Sequence, residues 1–423
     1  MKVQLSYGKD SEIEWDIPSE NILYFHGVYL DDAKTGDAKT GNAIADDEIK
    51  ARICAALDAP QGYPPLRECL IQGDSVVLPV APGLPMRDAI LEAILEYLWA
   101  LDEPHRPGRV AILLSAHDSP NAPFFSLELE KILPEEWMRE RTTFIVHDPE
   151  KKEHLALLGL NEANESLVVS RELFEADFVL PIGFYLPRGA KGYWGVHTSI
   201  YPLFSDLETR NRFNLEEERD ELEAEAAEVT RQLGVALFFQ ASLAPRKKGA
   251  GRFQNLAAGA FHEMDAAGYA EYSELWGARP AARLEAGCAI ATVSHGGDDP
   301  DERWRNIFRA VKNAANFVSD GGLIVVLADF QPPIPPSLEI YRQIRELNPS
   351  LKAIRKRNLP DAPYVMDFIR ILNEYRVAFF PSFDGDFLEE IDVMPLQNLA
   401  ELSRVVENRE CVILPDAHQI IVR

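Results

Sequence analysis

Three side chains that could bind and react with a small anion follow a short apolar run in the middle of the chain. Arg188, Lys191 and His197 lie within residues 177–202, which read DFVLPIGFYLPRGAKGYWGVHTSIYP. The first part is typical of a buried strand, and the glycine-rich part after it is typical of a turn. In α/β proteins, ligand sites form where strands end in such polar loops. Arginine and lysine hold carboxylate or phosphate groups, whereas histidine transfers protons near neutral pH or binds a metal.

A second candidate site is the segment SHGGDDPDE, residues 294–302, which follows another apolar run. His295 together with Asp298, Asp299 and Asp301 could bind a metal ion or the hydroxyl groups of a sugar or nucleotide. The alternative is a solvated acidic turn at the start of a helix, where the helix dipole favours carboxylates. The sequence contains no GxSxG, Walker A, HExxH or paired CxxC motif.

Composition and charge exclude several classes of function. The 423 residues carry a formal net charge of −25, which argues against non-specific binding of nucleic acid because such binding needs basic surface. No apolar run has the length of a membrane span, and the first residues lack the apolar core of a signal peptide. We therefore expect a cytoplasmic protein that binds neither nucleic acid nor a membrane. The cysteines are expected to be buried, reduced thiols, and the oligomeric state stays open.

Short apolar runs alternate with amphipathic helical segments, and this pattern positions the candidate residues at strand ends. It predicts an α/β fold with mainly parallel sheets joined by right-handed crossovers. Helices are predicted over residues 86–101, 215–233 and 302–318. The predicted strands are 75–80, 110–115, 142–146, 167–170, 178–182, 235–240, 289–293, 323–328, 377–381 and 411–414.

The composition becomes polar and glycine-rich around APRKKGAGR, residues 244–252. A domain boundary is predicted near this segment, because linkers between domains have such compositions. We predict an N-terminal α/β domain over residues 1–255 and a C-terminal α/β domain over residues 256–423.

Several segments, taken in order along the chain, resemble the nickel-pincer lactate racemase family. The resemblance covers most of the chain and implies a two-domain α/β enzyme with its site in the cleft between the domains. The segments that carry it are Tyr7-Gly8, GDSVVLPV (73–80), LLSAHD (113–118), IVHDPEKKEHLALLG (145–159), VVSRELFEADFVLPIG (168–183) and PDERWRNIFRAVKNAANFVSDGGLIVVLADF (300–330).

This resemblance implies an isomerase, a racemase or epimerase of 2-hydroxy acids. The family carries nickel in a nicotinate-derived pincer nucleotide, which a lysine tethers and a histidine completes as ligand. Two further histidines act on opposite faces of the substrate. One removes the hydroxyl proton while the α-hydrogen leaves as hydride, and its return to the other face inverts the centre. His117 falls on the first of these histidines. In the second domain Lys312 matches a family lysine, and Arg309 replaces a family glutamine.

Other positions of the family's site carry different residues here. Arg188 follows Pro187 where the family has its second catalytic histidine, and Thr198 stands at the place of the tethering lysine. The segment TRNRFN, residues 209–214, contains no histidine where the family has its nickel ligand. The loop APGLP, residues 81–85, lacks the charged partners of the family's loop. An arginine stays protonated, so it is a poor base, but it binds carboxylates well.

We therefore expect a divergent lactate racemase-like protein that binds a small anion, either a hydroxy acid or a sugar acid. Two alternatives stay open: a racemase or epimerase with altered chemistry, and a non-catalytic binding or regulatory protein on the same scaffold. The implied cofactor is the nickel-pincer nucleotide, and the substitutions favour the alternative of no cofactor. The assigned roles are proton transfer for His117, anion binding for Arg188, Lys191, Arg309 and Lys312, and metal or polar contacts for His197 and His295.

Overall fold

The apolar runs form strands and the amphipathic segments form helices. A computed structural model describes residues 2–8, 11–26, 44–82, 84–115, 128–185, 196–215, 219–243, 253–278, 286–294, 300–329, 333–357, 359, 361–381 and 384–422. The strands are β1 (Lys2–Ser6), β2 (Glu12–Asp16), β3 (Ile22–Phe25), β4 (Ser75–Pro79), β5 (Arg109–Leu114), β6 (Thr142–Val146), β7 (Leu155–Leu160), β8 (Ser166–Ser170), β9 (Phe178–Val179), β10 (Ile182–Phe184), β11 (Leu237–Leu243), β12 (Phe253–Ala260), β13 (Gly277–Ala278), β14 (Ala286–Thr292), β15 (Val318–Leu327), β16 (Arg376–Phe380), β17 (Val393–Pro395), β18 (Cys411–Leu414) and β19 (Ile421–Val422).

The helices lie between these strands, as a parallel sheet requires. They are α1 (Ile49–Asp58), α2 (Leu66–Cys69), α3 (Arg87–Trp99), α4 (Leu129–Ile132), α5 (Glu136–Glu140), α6 (Arg171–Glu175), α7 (Leu207–Leu215), α8 (Arg219–Gln232), α9 (Phe261–Trp276), α10 (Pro300–Ala315), α11 (Pro336–Ile344), α12 (Leu347–Arg357), α13 (Ala362–Glu374), α14 (Gly385–Glu390) and α15 (Leu399–Val406).

One compact unit consists of residues Asn42–Tyr272. Its four-stranded sheet has the order β6-β5-β4-β9, and all of its strand pairs are parallel. Val80, directly after β4, bridges to Ile182 at the start of β10. A three-stranded sheet of order β10-β11-β12 continues from there, with β10 parallel to β11 and β12 antiparallel to it.

The strands of this unit are covered on both faces. Val76 and Leu78 of β4 point into a core shared with α1 and α3. Val77, between them, points into a second core that includes Phe204 and Val229 of α8. This alternation follows from the two-residue period of a strand, and burial on both faces explains why the runs are continuously apolar.

The second unit consists of Met1–Gly41 together with Ser273–Arg423. Its six-stranded sheet has the order β17-β16-β15-β14-β18-β3, with parallel pairing throughout. One face packs against α10 and α13 through residues such as Phe308 and Phe368. The other face packs against the β1–β2 hairpin and α15, where the Trp15 indole donates a hydrogen bond to the Ser403 hydroxyl over 3.1 Å.

The predicted α/β class with mainly parallel sheets is confirmed, and two of the local predictions need correction. The single strand expected over 178–182 is divided into β9 and β10, since Pro181 between them has no N–H to donate. The helix expected over 215–233 corresponds to α8, Leu215 is the last residue of α7, and residues 216–218 lie outside the described residues. The strand expected at 167–170 pairs antiparallel with β7.

Two further expectations concern domain division and membranes. The predicted boundary at residue 255 and the predicted cleft between domains stay predictions. In the described part of the chain, no helix is both long and apolar enough to cross a membrane.

Candidate ligand-binding site

Polar residues follow two neighbouring parallel strands in residues 42–272. Buried Ser115 comes directly after β5, and buried His147 comes directly after β6. The His147 ring donates a hydrogen bond from Nε2 to the carbonyl oxygen of Ser205 over 2.7 Å. Burial lowers the pKa of His147, and the bond to Ser205 opposes this only in part. His147 is therefore a neutral side chain that holds the segment ending at Ser205 against this edge of the sheet.

Four of the predicted site residues lie outside the described residues: His117, Arg188, Lys191 and His295. In the sequence, each of them comes shortly after a strand. Their roles stay predictions.

His197 lies in a short 3-10 helix, Val196–Ser199, and is 4% exposed. Its ring stacks on Phe261 with centroids 3.8 Å apart and meets Phe238 of β11 edge-on at 6.1 Å. Neither ring nitrogen has a hydrogen-bond partner within the described ranges. Burial, and to a smaller extent the nearby His262, lowers the pKa of His197 to about 4. The imidazole is therefore neutral at pH 7 and has one donor and one acceptor nitrogen unmet.

Gln240 of β11 is a buried polar residue that was not among the predicted site residues. It lies opposite Gly183 of β10 and is 6% exposed. Its amide nitrogen Nε2 is buried without a hydrogen-bond partner in the described structure. A methyl group on Gly183 would lie 2.8 Å from this nitrogen, so the glycine leaves room for the amide to lie across β10. The available sequence signal was a lone amide within the apolar run VALFFQASL.

The two remaining predicted cations lie on α10 in the unit of residues 1–41 and 273–423. The Lys312 ammonium donates to the Asp367 carboxylate over 2.9 Å. Arg309, almost one turn earlier, is buried with 8% of its surface exposed. The Asn313 amide donates to the carbonyl oxygens of Ala417 and Ile420 over 2.8 and 2.9 Å. These two bonds fix α10 to the segment that follows β18.

A network of buried and half-buried polar side chains surrounds Arg212 of α7. The Glu225 carboxylate of α8 pairs with the Arg212 guanidinium and also accepts from the Tyr201 hydroxyl (2.9 Å) and the Asn161 amide (2.7 Å). Glu165 lies 3.3 Å from Arg212 Nε and accepts from Asn161 over 2.8 Å. We call these five residues the Arg212 cluster.

Burial and hydrogen bonding shift the pKa values of the Glu225 and Tyr201 side chains within the Arg212 cluster. Burial raises the pKa of Glu225, but the bonds from Arg212, Asn161 and Tyr201 outweigh it and hold that pKa below its usual range. Burial and the neighbouring Glu225 raise the pKa of Tyr201, which therefore keeps its proton and donates it. The cluster thus ties α7 to α8 through a charged carboxylate whose partners are all in place.

The chain resembles lactate racemase along its whole length. Residues 29–213 match the lactate racemase N-terminal domain. The lactate racemase of Thermoanaerobacterium thermosaccharolyticum is 23% identical over 445 aligned residues, which cover 100% of this chain and 99% of that protein. The structure of the lactate racemase apoprotein from the same organism superposes with a TM-score of 0.74 at 18% identity and full coverage of both chains. A crystal structure of a protein from Thermotoga maritima gives a TM-score of 0.60 at 15% identity, covering 91% of this chain and 100% of that one.

The parallel sheets with their connecting helices match the lactate racemase apoprotein over the full length of the chain. They define a protein with the lactate racemase fold. The resemblance predicted from the motifs is confirmed: the chain is lactate racemase-like in sequence and in fold. The resemblance to lactate racemase implies a nickel cofactor, which the protein could hold only with suitable ligand side chains.

The described residues do not fit the nickel-pincer nucleotide. Arg212 lies in the segment 209–214, to which the resemblance matches the nickel-ligand histidine, and its guanidinium is paired with two carboxylates. A guanidinium keeps its proton and has no lone pair to offer a metal. His197 is buried with its ring stacked on Phe261. Across the described ranges, no group of three or more His, Cys, Asp or Glu side chains is arranged to hold a metal ion.

Proposed function

We propose that this protein binds a small organic acid, either a hydroxy acid or a sugar acid, and does so without the nickel-pincer nucleotide of its family. The full-length match to lactate racemase supports the class of ligand. The observation that supports the absence of family chemistry is the pairing of Arg212. The segment 209–214, matched to the family's metal ligand, contains no histidine, and its Arg212 is already paired with Glu225 and Glu165.

Cations of the chain supply the binding energy in this proposal. On α10, Lys312 matches a lysine of the family and Arg309 stands where the family has a glutamine. Arg188 and Lys191 follow β10 in the sequence and provide further positive charge. Charge-assisted hydrogen bonds from arginine to a carboxylate are about twice as strong as neutral ones, and arginine can form two in parallel. The net charge of −25 is compatible with this, because a local basic site is sufficient for a small anion.

A racemase or epimerase with altered chemistry is the second candidate. His117 matches the family's first catalytic histidine and follows β5 closely in the sequence. The backbone N–H of His147 donates to the carbonyl oxygen of Leu114 at the end of β5 over 2.8 Å. His147 is neutral, and its Nδ1 has no hydrogen-bond partner among the described residues. This neutral histidine beside the end of β5 favours a second base in that region, in place of the one lost at Arg188.

The test combines metal analysis, ligand binding and turnover on the purified protein. We expect less than one-tenth of an equivalent of nickel, and a thermal shift with D-lactate, L-lactate, gluconate or glucuronate. Arg188→Ala should abolish that shift, whereas Lys352→Ala, which removes an exposed cation of α12, should leave it unchanged. Conversion of one lactate enantiomer to the other would select the second candidate. Stoichiometric nickel, or no shift with any of these acids, would contradict the main proposal.

A further inference from the structure

A cavity of about 710 Å³ lies among the helices of residues 42–272. Its walls come mainly from α1, α3 and the segment that contains α4 and α5. The predicted site residues His197, Arg309 and Lys312 do not line it. Cavities of this size hold small organic molecules in proteins, with a mostly apolar lining and a few polar groups that orient the ligand. The cavity is therefore a candidate site for a second kind of ligand.

One side of the cavity is apolar and held in place by the fold. Trp99 is 2% exposed, and its indole N–H donates to the Thr142 hydroxyl over 3.0 Å. The Trp137 ring also meets Trp99 edge-on, with centroids 5.5 Å apart. Leu133 and Met138 continue this wall. Aromatic rings and methionine sulfur pack favourably on an aromatic ligand, and a wall that is already fixed loses little entropy on binding.

The polar side of the cavity carries more negative than positive charge. Three carboxylates and two cations line it, so the lining has one net negative charge. Both cations already have acidic partners. Lys50 of α1 pairs with Glu96 of α3, and Arg67 of α2 lies 3.5 Å from Asp58 Oδ1. The charge that remains for a ligand is therefore negative.

Two of the carboxylates keep oxygens that can accept from a ligand. Asp58 Oδ1 accepts from the Tyr97 hydroxyl over 2.8 Å and is also the oxygen near Arg67, so Oδ2 takes part in neither contact. The Asp102 carboxylate makes no hydrogen bond or ion pair in the described structure. A carboxylate can only accept hydrogen bonds, so these oxygens suit a donor. The net charge of −25 on the chain favours a donor that is positively charged.

We propose that this cavity binds an organic cation with an aromatic body, of the arylalkylammonium class. The aromatic body packs against Trp99 and Met138, and the ammonium group donates to the open oxygens of Asp58 and Asp102. An anion of the same shape would face these carboxylates, and the two cations of the lining are already paired. The inference goes beyond the organic-acid proposal and does not depend on it, because it uses none of the residues assigned there.

The experiment compares two ligands that differ in the charge at one end. Tryptamine and indole-3-propionate share an indole ring and an ethylene chain, but one ends in an ammonium group and the other in a carboxylate. In calorimetric titration of the full chain at low ionic strength, tryptamine should bind at least about 10-fold more tightly. Asp102→Asn should weaken tryptamine by about 3-fold, and the double variant with Asp58→Asn by about 10-fold. Glu92→Gln removes a charge from the exposed part of α3 outside the cavity, and it should leave the affinity unchanged.

Cys54 lines the cavity and reports whether the ligand binds there. Burial and the nearby Asp58 raise the pKa of its thiol, so alkylation by iodoacetamide is followed at mildly alkaline pH with mass spectrometry of the peptides. Saturating tryptamine should slow the modification of Cys54 severalfold. Modification of Cys69, a partly exposed thiol that does not line the cavity, should not change.

A larger side chain in the lining gives a second measure of location. Ala100 is exposed and lines the cavity, so Ala100→Phe places a ring in the space that the ligand needs. It should weaken tryptamine by about 10-fold or more through steric exclusion. Ala51→Phe on the exposed surface of α1 is the control and should have no effect. Thermal unfolding of both variants checks that they are folded.

Three results would overturn the inference. Equal or tighter binding of indole-3-propionate would show that the cavity does not select a cation. Tryptamine binding that leaves Cys54 unprotected and is unaffected by Ala100→Phe would lie outside the cavity. Failure of tryptamine to bind would remove the site altogether. The organic-acid proposal stands or falls separately, because other ligands and Arg188→Ala test it.

Discussion

The Arg212 cluster and the face of β11 that carries Phe238 and Gln240 and borders His197, here called the Gln240 face, lie in the same unit of the protein. Both bury polar side chains, but they differ in how those groups are hydrogen-bonded. In the Arg212 cluster, Glu225 accepts from Arg212, Tyr201 and Asn161. On the Gln240 face, the nitrogens of Gln240 and His197 have no hydrogen-bond partner in the described residues. A satisfied network stabilises the fold by itself, whereas an unsatisfied one leaves free energy to be gained from a ligand.

This difference predicts different contributions to stability. The Arg212 cluster contains a structural ion pair between α7 and α8. The Gln240 face contains buried polar groups without partners in the described residues, and such groups cost stability. The side chains of functional sites commonly lower the stability of the fold, because they are arranged for a ligand and not for one another. We therefore expect opposite effects from mutations in the two regions.

The largest effect is expected when Arg212 is replaced by methionine. The Glu225 side chain, only 8% exposed, would keep its charge and lose its cation. Breaking a buried pair in this way costs several kcal/mol, so the free energy of unfolding should fall by about 3 to 4 kcal/mol. Urea unfolding at pH 7 measures this change.

Arg231→Met is the matched control for that prediction. Arg231 pairs with Glu228 on the same helix, but its side chain is 73% exposed. Exposed pairs of this kind contribute less than about 0.5 kcal/mol. Equal losses of unfolding free energy in Arg212→Met and Arg231→Met would contradict the prediction that the buried cluster stabilises the fold more than the exposed pair.

A smaller effect is expected from the pH dependence of His197. Burial lowers its pKa to about 4 in the folded protein, against 6.5 for an ordinary histidine. The unfolded chain therefore binds more protons between these values, and stability is lost as the pH falls from 6.5 towards 4. Between pH 7 and pH 4.5, protonation of His197 in the unfolded chain should lower the free energy of unfolding by about 2 to 3 kcal/mol.

The His197→Phe variant isolates this contribution when urea unfolding is repeated at pH 7, 6, 5 and 4.5. Its unfolding free energy should fall less steeply with acid than that of the wild type. His26, buried after β3 in the other unit, has a pKa also lowered to about 4 by burial, and its Nδ1 lies 2.8 Å from the Tyr24 hydroxyl. His26→Phe should therefore remove a second, separate part of the acid sensitivity. Identical slopes in the wild type and His197→Phe would show that His197 titrates normally and is not sealed from water.

The smallest effect is expected at Gly183. Its methyl group in Gly183→Ala would lie 2.8 Å from Gln240 Nε2, so the amide must move. We expect a loss of about 1 kcal/mol in unfolding free energy. The same substitution in a Gln240→Ala background should be nearly neutral, because the crowding is gone. Gly287→Ala on β14, where the nearest atom is 3.8 Å away, provides the control. Additive losses in the double variant would show that the two residues do not touch.

Much of the sheet architecture could be predicted from local sequence. The runs at 142–146 and 411–414 coincide with β6 and β18, because both strands are buried on two faces and read as unbroken apolar segments. The helix predicted at 302–318 is α10, displaced by two or three residues. The division between β9 and β10 was missed, although Pro181 signalled it, because periodicity alone does not register a lost N–H donor.

The candidate site could be predicted only in part. Glycine, arginine and histidine after an apolar run predict a site after β10, and this stays a prediction. Nothing local, however, reveals that Arg212 meets Glu225, Tyr201 and Asn161, since those partners are 11 to 51 residues away and meet only in the folded chain. Likewise, Gln240 looks like an interruption of an apolar strand until its position opposite Gly183 is known.

The pairing of β3 with β18 constrains how the chain can be assembled. Ile22 lies opposite Cys411, so the six-stranded sheet contains segments from near both ends of the sequence. During synthesis, β3 cannot pair until its partner strand β18 has emerged from the ribosome. Residues 42–272, by contrast, form a continuous unit whose strands are all present much earlier. Residues 42–272 can therefore fold before β18 is available. The pairing of β3 with β18 is then a late, long-range step in folding.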